Sequence, residues 1–183
     1  MNKENIIFGM AGLIIGLLIG IMVSGKSDSS TAHNANTQHA TTNTAQLNTS
    51  IAEFEAIVAK DAGNLQAWIS LGNAYFDVHN PQKAVQAYEK ALEINPDNPD
   101  VLTDQGVMLR ELGFFDRALG NFQKANKLNP QHLQSLFNQG IVYNFDLHQP
   151  EKARAVLEQL ISQNPSSPMA QQARGLLEQL GQQ

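Results

Sequence analysis

The chain contains no cysteine among its 183 residues. That removes disulfides, thiolate nucleophiles, thiolate metal sites and the acylated cysteine of a bacterial lipoprotein. Any attachment to a membrane must therefore come from the polypeptide itself. The chain also lacks a glycine-rich phosphate loop and an HExxH pair. Charge is sparse: Lys, Arg, Asp and Glu make up 16% of residues, net charge is −5, and both signs are interspersed from Lys60 onward. Nucleic-acid binding needs a basic patch or stripe, so the composition argues against nucleic acid as a partner. The remaining candidates for chemistry sit where structure explains them. His79 and His148 precede Asn80-Pro81 and Gln149-Pro150 and read as turn residues. His132 stands at a helix start, and Asp97, Asp100 and Asp104 gather near another, where the helix dipole favours carboxylates. No catalytic residue, metal site or cofactor is expected, so the chain reads as a non-enzyme.

Three regions differ sharply in what they contain. After a short tail (1–5), Ile6 to Val23 is an unbroken run of 18 apolar and glycine residues. As a helix it spans roughly 27 Å, close to the thickness of a bilayer's hydrocarbon core. A cleavable signal has an apolar core of only about 7–15 residues and a small-x-small cleavage site, and Val23-Ser24-Gly25 is a poor one. The run therefore predicts an uncleaved transmembrane signal anchor in the lipid bilayer, with cleavage to a soluble secreted adaptor as the alternative. A short N-terminal tail before a large domain favours export of that domain, which in a bacterium means an inner-membrane protein with a periplasmic domain. Gly12, Gly16 and Gly20 recur every fourth residue and line one helix face, where a second helix can approach closely. A homo-oligomer built on that face is one reading; the general abundance of glycine in membrane helices is the other.

Ser24 to Leu47 is rich in Ser, Thr, Asn, Ala, Gln and His and nearly devoid of large apolar residues. Such a segment cannot bury enough surface to offset its ordering entropy, so a disordered linker is expected over 24–47. His33 and His39 within it are expected to be solvated.

Residues 48–182 are periodic. Gly72, Gly106 and Gly140 stand 34 residues apart, and aligning on them brings Ala84, Ala118 and Ala153 into register. So fall Tyr88, Phe122 and Leu157, then Ala91, Ala125 and Leu160, and the pairs Asn95-Pro96, Asn129-Pro130 and Asn164-Pro165. Small residues let two helices pack closely, the large column fills the space between hairpins, and each Asn-Pro ends a helix. A unit of this period cannot bury its apolar face alone and stacks on its neighbours. The first unit carries Trp68, Leu71, Gly72, Tyr75, Ala84, Tyr88, Ala91 and Pro96, an order that resembles the tetratricopeptide repeat. That resemblance implies an all-α fold, a right-handed superhelix of antiparallel helix pairs, with repeats at 65–98, 99–132 and 133–166. Ile51, Phe54, Ile57 and Val58 suggest a half-repeat helix over 49–61. Ser167 and Pro168 open a capping helix over 167–180, its apolar stripe at Ala173, Leu176, Leu177 and Leu180.

The repeats depart from their pattern at two places. Gln105 and Gln139 replace the Leu71 column, so each must lie at an edge or hydrogen-bond inside. Tyr143 to Ala153 is one residue longer than Tyr75 to Ala84, with Asn144 as the insertion when YFDVH is aligned with YNFDLH. A longer turn before Pro150 is the favoured way to absorb it; a π-bulge is the other.

The resemblance also implies a concave groove lined by the first helix of each pair, holding a protein or peptide partner. It places Gln66, Ile69, Asn73, Phe76 and Asp77 there, then Thr103, Asp104, Val107, Arg110 and Glu111. Phe137, Asn138, Ile141 and either Asn144 or Phe145 come from the third repeat. Some family members grip a C-terminal carboxylate with two lysines, an arginine and two asparagines. Here Asn73 and Asn138 fit, but basic positions read Ile69 and Gln134 and an asparagine column reads Asp104, so no preference for acidic C-termini is expected. The plan of anchor, linker and repeats is similar to tetratricopeptide subunits of cytochrome c biogenesis and other membrane assembly factors.

Overall fold

A computed structural model describes residues 31–181 of the chain. These residues form eight α-helices and one π-helical turn, with no strand among them. In order they are α1 (Thr31–Lys60), α2 (Leu65–Asp77), α3 (Pro81–Ile94), α4 (Pro99–Glu111), α5 (Phe115–Leu128), α6 (Leu133–Ile141), the π turn (Val142–Asp146), α7 (Pro150–Gln163) and α8 (Pro168–Leu180). The N-terminal tail, the apolar span 6–23 with Gly12, Gly16 and Gly20, and residues 24–30 lie outside the described residues. Among the described residues no helix is long and apolar enough to cross a membrane.

The helix boundaries arise from local chemistry. Asn64, Asn80, Asn98 and Ser167 each cap a helix by accepting a hydrogen bond from a backbone N–H of its first turn. Proline opens α3, α4, α7 and α8, where a missing N–H leaves no hydrogen bond unmade. At the other end, Asn95 and Asn129 are pushed into extended backbone by the proline after each, which stops α3 and α5. Within each hairpin the chain turns through a left-handed residue at an equivalent place: His79 (φ 53°), Gly113 (φ 79°) and His148 (φ 51°). The next N–H reaches back into the preceding helix, Asn80 to Tyr75 O at 2.9 Å and Phe114 to Leu109 O at 2.8 Å. These bonds satisfy carbonyls that a helix end would otherwise leave bare.

Consecutive helices pack on one another, α4 also touches α6, and α6 also touches α8. The even-numbered helices thus form an inner layer and the odd-numbered helices an outer one. Glycine sets how closely the layers approach. A Cβ at Gly72 would stand 2.4 Å from Tyr88 Cε1, at Gly106 2.5 Å from Phe122 Cε1 and at Gly140 2.7 Å from Leu157 Cδ2. Those three large side chains are at most 1% exposed. Polar Gln105, also buried, donates to Val85 O at 3.3 Å and accepts from Asn121 Nδ2 at 2.7 Å. It is the interior hydrogen bonding that its column demands.

One boundary differs and one expectation is corrected. Helix α1 starts at Thr31, so it runs through 31–47, where a linker is expected, into the half-repeat helix expected over 49–61. No glycine or proline interrupts the chain between Lys26 and Gly63, and once Ile51, Phe54 and Val58 pack on the core, extending the helix backward adds one hydrogen bond per residue ordered. The inserted residue, favoured to lengthen the turn, instead widens the helix: Val142–Asp146 is a π turn, closed by Leu147 N–H to Val142 O at 3.0 Å, an i→i+5 bond. The wider turn absorbs one residue inside the helix and leaves the hairpin turn unchanged beyond it. Lys152 consequently sits 5.6 Å from the Tyr143 ring, as Lys83 sits 4.9 Å from the Tyr75 ring in the first repeat.

Candidate functional site

The inner-layer helices carry the residues expected in the groove, and α2 and α4 bring Asn73, Phe76, Asp77 and Asp104 to one cavity. On α2, Gln66, Asn73 and Asp77 are exposed, while Ile69 and Phe76 are half-buried. On α4, Asp104, Val107 and Arg110 are half-buried and Glu111 is exposed; on α6, Phe137, Asn138 and Ile141 are half-buried. Thr103 does not belong with them. It is 1% exposed, and its hydroxyl donates to Pro99 O at 2.8 Å within its own helix, so it has neither surface nor a free hydrogen for a ligand. Of the two alternatives at the insertion, Asn144 is buried in the π turn and Phe145 is 49% exposed.

At the junction of the first two repeats the inner layer opens into a cavity of about 250 Å³, lined by Asn73, Phe76, Asp77, Tyr88 and Asp104. Tyr88 donates its hydroxyl hydrogen to Asn73 Oδ1 at 2.8 Å, which fixes the amide's orientation. Burial, then the charges of Asp104 and Asp77, hold that hydroxyl above the ordinary tyrosine range, so it stays a donor. Burial likewise pushes Asp104 up to about 6; the charge of Asp100 adds to the shift and His132 opposes it. A carboxyl group partly out of water, with no hydrogen bond or ion pair among the described residues, favours its neutral form.

Between the second and third repeats a charge pair replaces the cavity. Arg110 grips Asp146 with Nε 2.5 Å from Oδ2 and a terminal nitrogen 3.2 Å from Oδ1. The two-point geometry suits a guanidinium and a carboxylate, and Asp146's side chain is only 14% exposed. A further tie lies nearby: His132 caps α6 through Nδ1, which accepts from Ser135 N–H at 3.3 Å, and its Nε2 lies 3.0 Å from Asp100. An accepting Nδ1 carries no proton, so Nε2–H is the donor to Asp100. Asn138 Nδ2, by contrast, is buried with no partner among the described residues.

Sequence reasoning misses Tyr88 and Asp146 as groove residues. Its place in the large-residue column assigns Tyr88 wholly to packing; only its hydroxyl enters the site. Asp146 is legible in principle, since aligning YFDVH with YNFDLH puts it in the column of Asp77. A larger recess of about 550 Å³, between α1, α2 and α3, is also unforeseen; Val58, Trp68, Leu71, Tyr75 and Ala87 line it, with Glu55 and Lys83 among them. None of the residues expected in the groove lines it. Among the described residues no three His, Cys, Asp or Glu come together to hold a metal.

Comparison with known proteins fits this geometry. Family models described as tetratricopeptide repeat match residues 65–98, 87–119 and 134–167. Protein O-mannosyl-transferase TMTC1 of Homo sapiens is 29% identical over 128 residues, 68% of this chain and 14% of that protein. Protein O-mannosyl-transferase TMTC3 of Homo sapiens is 41% identical over 78 residues, 42% of this chain and 8% of that protein. The chain thus spans a small fraction of these curated relatives. Among solved structures, a tetratricopeptide repeat protein from Parabacteroides merdae matches with a TM-score of 0.67 at 20% identity, over 82% of this chain and 60% of its own. The MamA protein matches at 0.64 and 20% identity, over 75% and 79%. The first such domain of Spaghetti (RPAP3), bound to the HSP90 peptide SRMEEVD, matches at 0.59 and 23% identity, over 67% and 94%. At these identities the structural likeness is one of fold. With three family-model matches over 65–119 and 134–167 and a stack of helix hairpins built on the glycine columns, the chain belongs to the tetratricopeptide repeat family.

Proposed function

We propose that this protein is a membrane-tethered scaffold whose inner groove binds a segment of a partner protein, and that it serves assembly of a membrane or periplasmic complex without catalysing a reaction. The observation that carries the reading is the character of the groove. Half-buried Ile69, Phe76, Val107, Phe137 and Ile141 alternate there with Asn73 and Asn138. Apolar side chains can receive those of a bound peptide while amides pair with its backbone. The Spaghetti domain, which shares the fold, holds a peptide.

The tether rests on Ile6 to Val23, whose length and lack of charge suit a signal anchor in a bacterial inner membrane with the repeats on the periplasmic side. A second reading, favoured by the spacing of Gly12, Gly16 and Gly20, is a homo-oligomer made through that span. Affinity capture from membranes, using the anchored chain against an Asn73→Ala, Phe137→Ala variant, tests the groove. The variant should lose the captured partners; equal recovery by both overturns the reading. Crosslinking with Gly16→Leu tests the other, since oligomers that survive it do not use the glycine face.

A further inference from the structure

Charge is unevenly divided between the helices expected to line the groove and those packed behind them. On α2, α4, α6 and the π turn the acidic residues are Asp77, Asp100, Asp104, Glu111 and Asp146, and the single cation is Arg110. That cation is held by Asp146, and Asp100 is engaged by His132. Lys and Arg are instead concentrated on α3, α5 and α7, at Lys83, Lys90, Arg117, Lys124, Lys127, Lys152 and Arg154. Asp77 and Asp104, which have no ion pair among the described residues, line the same cavity from α2 and α4.

We infer that this cavity, walled by Phe76 and Tyr88 and bearing the carboxylates of Asp77 and Asp104, receives the cationic side chain of a lysine or arginine in the bound partner segment. The inference rests on the groove reading above and names what that groove selects. Its chemistry is that of charge complementarity with an apolar sleeve. The methylenes of a long cationic side chain lie well against aromatic rings while the charged head seeks carboxylates. Asn73, fixed by the Tyr88 hydroxyl, keeps a second lone pair of Oδ1 available to an N–H donor. The cavity of about 250 Å³ has room for such a side chain and not for a helix. An acidic residue or C-terminal carboxylate would meet two like charges, with Arg110 already engaged by Asp146.

Burial of Asp104 couples the binding to protons. In the empty groove Asp104 is raised to about 6, and an incoming cation favours its ionised form. The charged and titratable groups around it are Asp77 and Tyr88 in the cavity, Asp100 one turn earlier on α4, and His132 from the start of α6. Binding of a cationic segment should therefore strengthen as pH rises through about 6, the value that burial gives Asp104.

The test selects peptides from a displayed random heptapeptide library on the full-length chain near neutral pH, with affinity then measured for the best synthetic peptide. Lysine or arginine should be enriched at one position. Replacing it by norleucine, or Asp104 by Asn, should weaken binding roughly ten- to hundredfold, the range set by a hydrogen bond to a charged group. Asp77→Asn provides a second variant, and thermal melting establishes that each is folded. Peptides that lose affinity on Phe137→Ala but show no cationic preference, or that bind Asp104→Asn equally well, overturn the cavity inference and leave the groove standing. If no peptide is selected, or those selected are indifferent to Phe137→Ala as well, the groove reading itself fails.

Discussion

Alanine in place of Gly106 should destabilise the protein, whereas alanine in place of Gly120 should stabilise it, although both glycines lie inside helices. In an exposed helix interior alanine is favoured over glycine by about 0.8–1 kcal/mol. Gly120 is exposed, and a Cβ there meets nothing within 4 Å, so it should gain that amount. At Gly106 the same gain is opposed by contact. The new Cβ would lie 2.5 Å from Phe122 Cε1 and 2.9 Å from both Cδ1 and Cζ, well inside normal van der Waals distance, and Phe122 is fully buried. Overpacking of this kind costs about 1–3 kcal/mol, and three close ring atoms argue for the upper half. The net loss is then about 1–2 kcal/mol, or roughly 3–7 °C in melting temperature for a domain of this size.

Circular dichroism melts of the two single variants give the opposite signs directly. A double-mutant cycle with Phe122→Ala adds a sharper condition. Truncating the ring removes the clash, so the double variant should lose at least about 1 kcal/mol less than the sum of the singles. If Gly106→Ala melts at or above the unsubstituted protein, or if the cycle shows no coupling, close packing is not why glycine occupies this column. Alanine at Gly72 or Gly140 should destabilise likewise, since the new Cβ atoms would meet Tyr88 and Leu157.

Single sites yield other outcomes. His79→Gly and His148→Gly should each stabilise by about 0.5–1 kcal/mol in melts, because both histidines hold a left-handed backbone that Gly113 adopts without steric penalty. Asp104→Asn should raise stability at pH 8 and not at pH 4: a carboxyl whose folded pKa is raised from 3.8 to about 6 favours folding when protonated and loses that contribution as pH rises through 6, about 1–3 kcal/mol in all. A pH-independent effect of Asp104→Asn would contradict the burial argument. Arg110→Met should cost about 1–3 kcal/mol by leaving the largely buried Asp146 without its partner, with Asp146→Asn in the same background restoring part of the loss.

The helix hairpins are legible in the sequence because their determinants are local or strictly periodic. Asn-Pro pairs, N-terminal prolines and the glycine and alanine columns each impose a constraint that the chain cannot meet another way. Thr103 is misplaced for a reason periodicity cannot reveal: a hydroxyl that bonds Pro99 O in its own helix becomes effectively apolar, so a residue that reads as groove-facing can be buried. The reach of α1 is hidden because composition reports what a segment can bury, while helix extension depends on the packed segment beside it. Arg110 reads as a groove cation, yet its partner lies 36 residues away and only the stacking of repeats brings them together.

The insertion at Asn144 shows how such long-range ties are kept when the sequence slips. Counting residues cannot separate a longer turn from a wider helix, because both absorb one residue. They differ in where they leave the next side chains. A longer turn would displace the end of the helix relative to α4, and Asp146 with it; the π turn instead swings the chain within the helix and delivers Asp146 to Arg110 at bonding distance. It also returns Lys152 to the ring of Tyr143 and His148 to the left-handed turn position held by His79 and Gly113. The repeat geometry is therefore resumed after the slip, and the groove cation Arg110 is neutralised in the process. At the first junction Asp77 and Asp104 have no ion pair among the described residues, so the two junctions differ in how their charges are met.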